Sequence, residues 1–164
     1  MTNAKPNNWT SYRLDHLKLS LDVFSDLSAL KLRRDDKLTS LIQEVGPVQL
    51  ILWAGHDQTL ESWQQRLDVR DEAHFEPEEH IMVCDQAARK QTAIVTQAGA
   101  MGSFVEGDGT IGHLYEEASK RVHVCVSFTH EGRSILQCWI IDEDARSAHI
   151  ADESRFFESL RCFD

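Results

Sequence analysis

Val122, Val124, Val126 and Phe128 alternate with His123, Cys125, Ser127 and Thr129, the period of two expected of a strand with one buried face. The run that follows, 134–141, is apolar on both faces, and His130, Glu131, Gly132 and Arg133 between them read as a turn. Gly132 can take the positive φ that a two-residue hairpin turn needs. A two- or four-residue loop sets Phe128 opposite Ile135, Val126 opposite Gln137, Val124 opposite Trp139 and Cys125 opposite Cys138. A three-residue loop would slip that register and turn the pairing over. Beyond the hairpin, Asp152 suits a helix N-cap, and Phe156, Leu160 and Phe163 recur on one helical face, predicting a helix that lies on the sheet.

Earlier in the chain a strand is expected from Tyr12, with Leu17, Leu19, Leu21 and Val23 alternating with Lys18, Ser20 and Asp22. Asp36 suits the cap of a helix carrying Leu38, Leu41, Ile42 and Val45, ended by Gly46 and Pro47. Leu27, Leu30 and Leu32 take no assignment. The apolar run 48–53 reads as a strand buried on both faces near the sheet centre, and a helix capped by Asp57 follows, with Leu60, Trp63 and Leu67 at helical spacing. The charged stretch 70–79, with Pro77, reads as a surface loop. Runs 81–84 and 92–96 suggest a second hairpin joined by 85–90. Five of the eight glycines fall between Gly99 and Gly112, an expected irregular connection with a short strand at 103–106. The resulting fold class is α+β: a largely antiparallel sheet of about six strands with helices packed on its faces.

The chain has 164 residues and 41% hydrophobic content, enough for one core. The division expected is a flexible lead-in over 1–11 and a single domain over 12–164. A formal charge of −10 opposes a nucleic-acid partner, which needs a basic face to displace counterions. The opening MTNAKPNNW lacks the apolar stretch of a signal peptide, and no segment is long enough for membrane insertion, so the expected location is cytoplasmic.

Cysteines at 84, 125, 138 and 162 are too far apart for a CxxC motif, and their apolar surroundings read as buried free thiols. Cys125 and Cys138 are the exception, since the hairpin register makes them neighbours able to form a disulfide. Gly107-Asp108-Gly109 invites a phosphate-cradle reading, but no Lys or Arg lies between Gln91 and Ser119 while Glu106, Asp108, Glu116 and Glu117 are acidic, so a flexible loop is the plainer reading. No HExxH or GxSxG motif occurs. His123 and Cys125 share a strand face, and His113, Glu116 and Glu117 would share one only in a helix. Cys84 or Cys125 paired with a distant histidine as nucleophile and base is a weak pattern, and Glu76, Glu78 and Glu79 around Pro77 look solvated. Trp53, Trp63 and Trp139 fall on apolar stripes. Trp9 sits in a polar context, either stapling the lead-in to the domain or open to a partner.

Three stretches carry a family resemblance: Asn8-Trp9-Thr10-Ser11-Tyr12 before the first alternating strand, Asp85-Gln86-Ala87-Ala88-Arg89, and the ending from Ala151 to Phe163. In outline the chain resembles the fold group of the Ran-binding protein Mog1, the photosystem II protein PsbP and the bacterial DcrB-like proteins, although Leu21-Asp22-Val23-Phe24 stands where that group usually has Leu-Pro. The resemblance implies a binding or assembly factor, an adaptor or chaperone, and carries over no site residues. The function expected is therefore a non-enzymatic cytoplasmic module that binds a protein partner through a sheet face or edge, with no cofactor and with a homodimer as one form of assembly. The alternatives are a thiol- or metal-dependent activity centred on His123, Cys125 and Cys138, and a small apolar ligand held between sheet and helix.

Overall fold

Alternation governs far more of the chain than helical spacing does. The computed structural model describes residues 8–70, 72–97, 101–115 and 119–164. Its elements begin with β1 (Trp9–Leu14), β2 (Leu19–Phe24), β3 (Leu30–Arg34), β4 (Leu38–Val45) and β5 (Val48–Gly55), followed by helix α1 (Leu60–Arg70). Then come β6 (Glu72–Phe75), β7 (Glu79–Val83), β8 (Gln86–Gln97), β9 (Met101–Val105), β10 (Ile111–Tyr115), β11 (Ser119–His130) and β12 (Arg133–Asp142). Helix α2 (Ile150–Glu158) and the short β13 (Arg161–Cys162) follow. The main sheet has eight strands in the order β3-β4-β5-β12-β11-β8-β6, with β7 also pairing with β8; β1-β2-β13 form a second sheet and β9-β10 a separate hairpin. All pairings are antiparallel, as expected, and the strands outnumber the about six predicted.

The central strands are apolar on both faces because both faces are covered. On one, Leu50 and Leu52 of β5, Val124 and Val126 of β11 and Trp139 of β12 pack beneath the second sheet and Phe156 of α2. On the other, Ile51, Cys125, Leu136 and Cys138 meet Leu60 and Trp63 of α1. The β11–β12 register is the one read from the sequence, with Cys125 opposite Cys138 and Phe128 opposite Ile135. Its turn is two residues, Glu131 and Gly132, both at positive φ (52° and 72°), which matches the twist of the paired strands.

Residues 38–45 are a strand and not the helix predicted. Leu38, Leu41, Ile42 and Val45 fit a helical stripe, but in β4 the residues facing the core are Thr39, Leu41 and Gln43. Two of the three are polar, so the alternation was hidden. Each is satisfied by hydrogen bonds: His16 Nε2 lies 3.0 Å from Thr39 Oγ1, and the Gln43 amide accepts from Phe24 N–H (2.8 Å) and donates to the carbonyls of Phe24 (2.8 Å) and Asp26 (2.9 Å). Gln43 thus exchanges both bonds with one backbone residue, as a neighbouring strand would, and ties the two sheets together.

Other boundaries differ for local reasons. The strand expected from Tyr12 is a hairpin, β1 and β2, joined by a 3-10 turn at Asp15–Leu17 with Lys18 left-handed at φ 55°, so Trp9 is already in a strand. Leu30 and Leu32 fall in the edge strand β3. Helix α1 is capped by Thr59 and not Asp57: Ser62 N–H donates to Thr59 Oγ1 (3.2 Å) and Thr59 N–H to Ser62 Oγ (3.0 Å), a reciprocal box. The stretch read as a surface loop around Pro77 contains β6 and the start of β7, and the β7–β8 turn is only Cys84 and Asp85, with the rest of 85–90 inside β8. A 3-10 segment, Glu143–His149, leads into α2; Asp152 lies in the first helical turn and pairs with His149 Nδ1 (3.0 Å), and Phe163 lies beyond β13 and not on the helix. Between Gly99 and Gly112 the described residues form the β9–β10 hairpin, while Gly99, Glu116 and Glu117 lie outside the described residues, as does the lead-in before Asn8.

Candidate binding surfaces

The four cysteines are not free thiols. Cys125 and Cys138 form a disulfide across β11 and β12, with Cα atoms 4.3 Å apart, and Cys84 joins Cys162 with Cα atoms 5.6 Å apart. Apolar surroundings suggested inert thiols; the direct opposition of 125 and 138 in the ladder brings their sulfurs together. The second bond was invisible in the sequence because it joins the β7–β8 turn to the strand that closes the second sheet. Cys125 and Cys138 are buried beneath α1, at 0% and 1% exposure. While the bond stands, neither sulfur is a thiolate nucleophile or metal ligand. His123 shares the Cys125 face, flanked in register by Ile140 and Ala93.

Among the described residues no three His, Cys, Asp or Glu side chains are grouped to hold a metal ion. The Arg89 guanidinium reaches Glu78 beside Pro77 (2.9 Å from its Nε) and Glu61 of α1 (2.6 Å), and it pulls the Glu61 carboxyl below the usual carboxylate range. Such a carboxyl is a poor general acid at neutral pH. Trp9 staples the first strand to α2. Its ring packs 4.5 Å from Phe24, its Nε1–H points to Asp152 Oδ1 (3.4 Å), and the Arg155 guanidinium lies 5.6 Å over it.

The glycine-rich stretch is an ordered hairpin and not a phosphate cradle. Glu106 N–H donates to Thr110 O (2.8 Å), Gly109 N–H to Glu106 O (3.0 Å) and Thr110 N–H to Asp108 Oδ1 (2.9 Å), so these backbone donors are already used. The bonds from Thr110 hold Asp108 below its ordinary pKa. The Phe104 ring lies across Gly112, where a Cβ would stand 2.2 Å from it and displace it. Val105 pairs with Ile111 across the strands, and the two are 73% and 63% exposed, with Phe104 at 41%. None of the three belongs to either core cluster. These three described side chains face solvent, which is unusual for a hairpin, since two strands alone are marginally stable in water.

At the opposite end of β8 and β11 lies a polar cleft of about 330 Å³. It opens where the second sheet parts from the first, between the 3-10 turn carrying His16, the β3–β4 turn, the end of β5 and the β11–β12 turn. Gly55 lets these elements close together, because a Cβ there would stand 2.6 Å from Lys37 O. Arg34, Lys37, His56 and Arg133 line it. Sequence reading missed this site because its residues come from four separate turns and strand ends.

No protein-family model matches the chain, and no curated protein matches it. Solved structures do. Cyanobacterial PsbP (CyanoP) from Synechocystis sp. PCC 6803 aligns with TM-score 0.62 at 9% identity, covering 99% of this chain and 97% of that one. The Saccharomyces cerevisiae Ran-binding protein Mog1p aligns with TM-score 0.51 at 10% identity, covering 97% of each. At these identities the likeness establishes architecture, and the chain has the α+β fold shared by PsbP and Mog1 that the sequence resemblance implied.

Proposed function

We propose that this chain is a non-catalytic protein-binding module whose β9–β10 hairpin inserts into an apolar groove on a partner protein. The observation that carries the reading is the exposure of Phe104, Val105 and Ile111, none of which belongs to either core cluster. Glu106 and Asp108 at its tip call for a groove rimmed by cations. The Ran-binding title of Mog1p supports partner binding as a use of this architecture. Two disulfides favour an oxidising compartment over the cytoplasm expected from the sequence, and we place the protein there.

The test is crosslinking in the native host with wild-type protein and with Val105→Thr/Ile111→Thr, which keeps β-branched residues at this cross-strand pair and whose thermal unfolding should match wild type because neither side chain is in a core. The reading expects one crosslinked partner that disappears with the double variant. The same partner captured equally by a folded double variant removes the hairpin from the interface and sinks the reading.

A further inference from the structure

We propose that the cleft between the two sheets is a binding site for an oxyanion, a phosphate or carboxylate group gripped by Arg34, Lys37 and Arg133. This proposal is independent of the hairpin reading. The chain carries 27 acidic against 17 basic residues, so cations here are generally outnumbered by carboxylates. Yet three line this cleft, and among the described residues none of the three forms a salt bridge. Of the nearby carboxylates, Asp35 is turned into its own loop, accepting from Lys37 N–H (2.8 Å) and Leu38 N–H (2.7 Å), which lowers its pKa. Glu131 faces Lys18 at 3.8 Å in the adjoining recess. Asp36 alone lines the cleft without such a bond.

Arg34, Lys37 and Arg133 are exposed side chains, and the wall on the His16 side is held by hydrogen bonds. Arg133 is anchored by one donor, Nη1–H to the His16 carbonyl at 3.2 Å, which leaves the rest of its fork for a ligand. His16 is held against the buried Thr39 hydroxyl. Desolvation, then the fields of Arg34 and Arg133, push the His16 pKa down against the opposing field of Asp15. Two guanidinium groups and an ammonium suit an oxyanion, because charge-assisted N–H···O bonds are the strong ones and the planar fork fits both phosphate and carboxylate. The volume is near the lower limit for small-molecule sites, so one oxyanion group with a short attached moiety fits.

The experiment is an NMR titration of the intact, disulfide-bonded protein with inorganic phosphate, with citrate in a parallel arm and sodium chloride at matched ionic strength as reference. The expected result is saturable shifts at His16, Gly55, His56 and Arg133, absent with chloride, and weakened about tenfold or more in Arg34→Gln/Arg133→Gln. Lys120→Gln, an exposed cation away from the cleft, should bind as wild type does. Saturation by phosphate alone assigns the site to phosphoryl groups, and saturation by citrate alone assigns it to carboxylates. Shifts that follow ionic strength in all three salts, no saturable shift, or equal binding by a folded double variant overturns the proposal.

Discussion

Gln43→Met tests whether the two sheets are joined by hydrogen bonds or by apolar packing alone. The side chains are close in length and volume, Gln43 is fully buried, and the substitution removes three bonds, leaving Phe24 N–H and the Phe24 carbonyl without their partner and the Asp26 carbonyl with Ala29 N–H (3.2 Å) alone. A net hydrogen bond is worth about 1 kcal/mol, and a buried group left unpaired costs about as much or more, so three lost bonds amount to about 3 kcal/mol. For a chain of this length that is a fall in melting temperature of about 6–12 °C. The assay is urea denaturation followed by tryptophan fluorescence, with hydrogen exchange at the Phe24 amide as the local readout. Gln43→Glu adds a second arm: at neutral pH it sets a buried carboxylate against two carbonyls and loses more than Gln43→Met. As pH falls, protonation restores one donor and part of the stability returns. A Gln43→Met protein within about 0.5 kcal/mol of wild type, or an unchanged Phe24 amide, refutes the reasoning.

The two disulfides should separate under mild reduction. Cys84–Cys162 is only half-buried, whereas Cys125–Cys138 is sealed beneath α1, so pulsed alkylation with mass spectrometry should find residues 84 and 162 labelled first. The first bond spans 78 residues and the second 13, which by chain entropy is worth about 4–5 kcal/mol against about 3 kcal/mol; labelling of the buried pair first contradicts this order. Stability should also depend on pH through His16. Its folded pKa lies below the ordinary 6.5, so the unfolded chain binds the proton more readily, and stability present above that value is lost as pH falls from it toward the folded pKa. Arg34, Arg133 and Asp15 set that field, and His16→Gln should flatten the wild-type decline in denaturation midpoint over the window; an identical decline in both proteins contradicts it.

Legibility followed the chemistry of the core faces. The β11–β12 hairpin could be read to the residue because Val122, Val124, Val126 and Phe128 alternate without interruption and the turn admits few registers. The run at β5 was equally plain, since a strand covered on both faces needs no alternation. β4 failed where Thr39 and Gln43 face inward, their polarity explained only by partners on β2 and the first turn. The β7–β8 turn failed because Cys84 adopts positive φ (52°) beside Asp85 (59°), at a position where the sequence rules for tight turns expect glycine, asparagine or aspartate. Of the chemistry, Cys125 and Cys138 were placed together by register, whereas the cleft has no local sequence signal at all.

The strand β2 has β1 on one side and β13 on the other, so Leu19 and Ser20 wait for Cys162 and Arg161 before their second edge is covered. During synthesis the first hairpin emerges long before that neighbour exists. It must remain half-finished, with an open edge and an apolar face, while the main sheet assembles beneath it. Closure by β13, and then by the bond from Cys162 to Cys84, completes the second sheet only after every strand of the main sheet has been made. A chain stalled or cleaved ahead of β13 would therefore lose a whole layer's cohesion and not merely a tail, and its exposed β2 edge would mark it for aggregation or proteolysis.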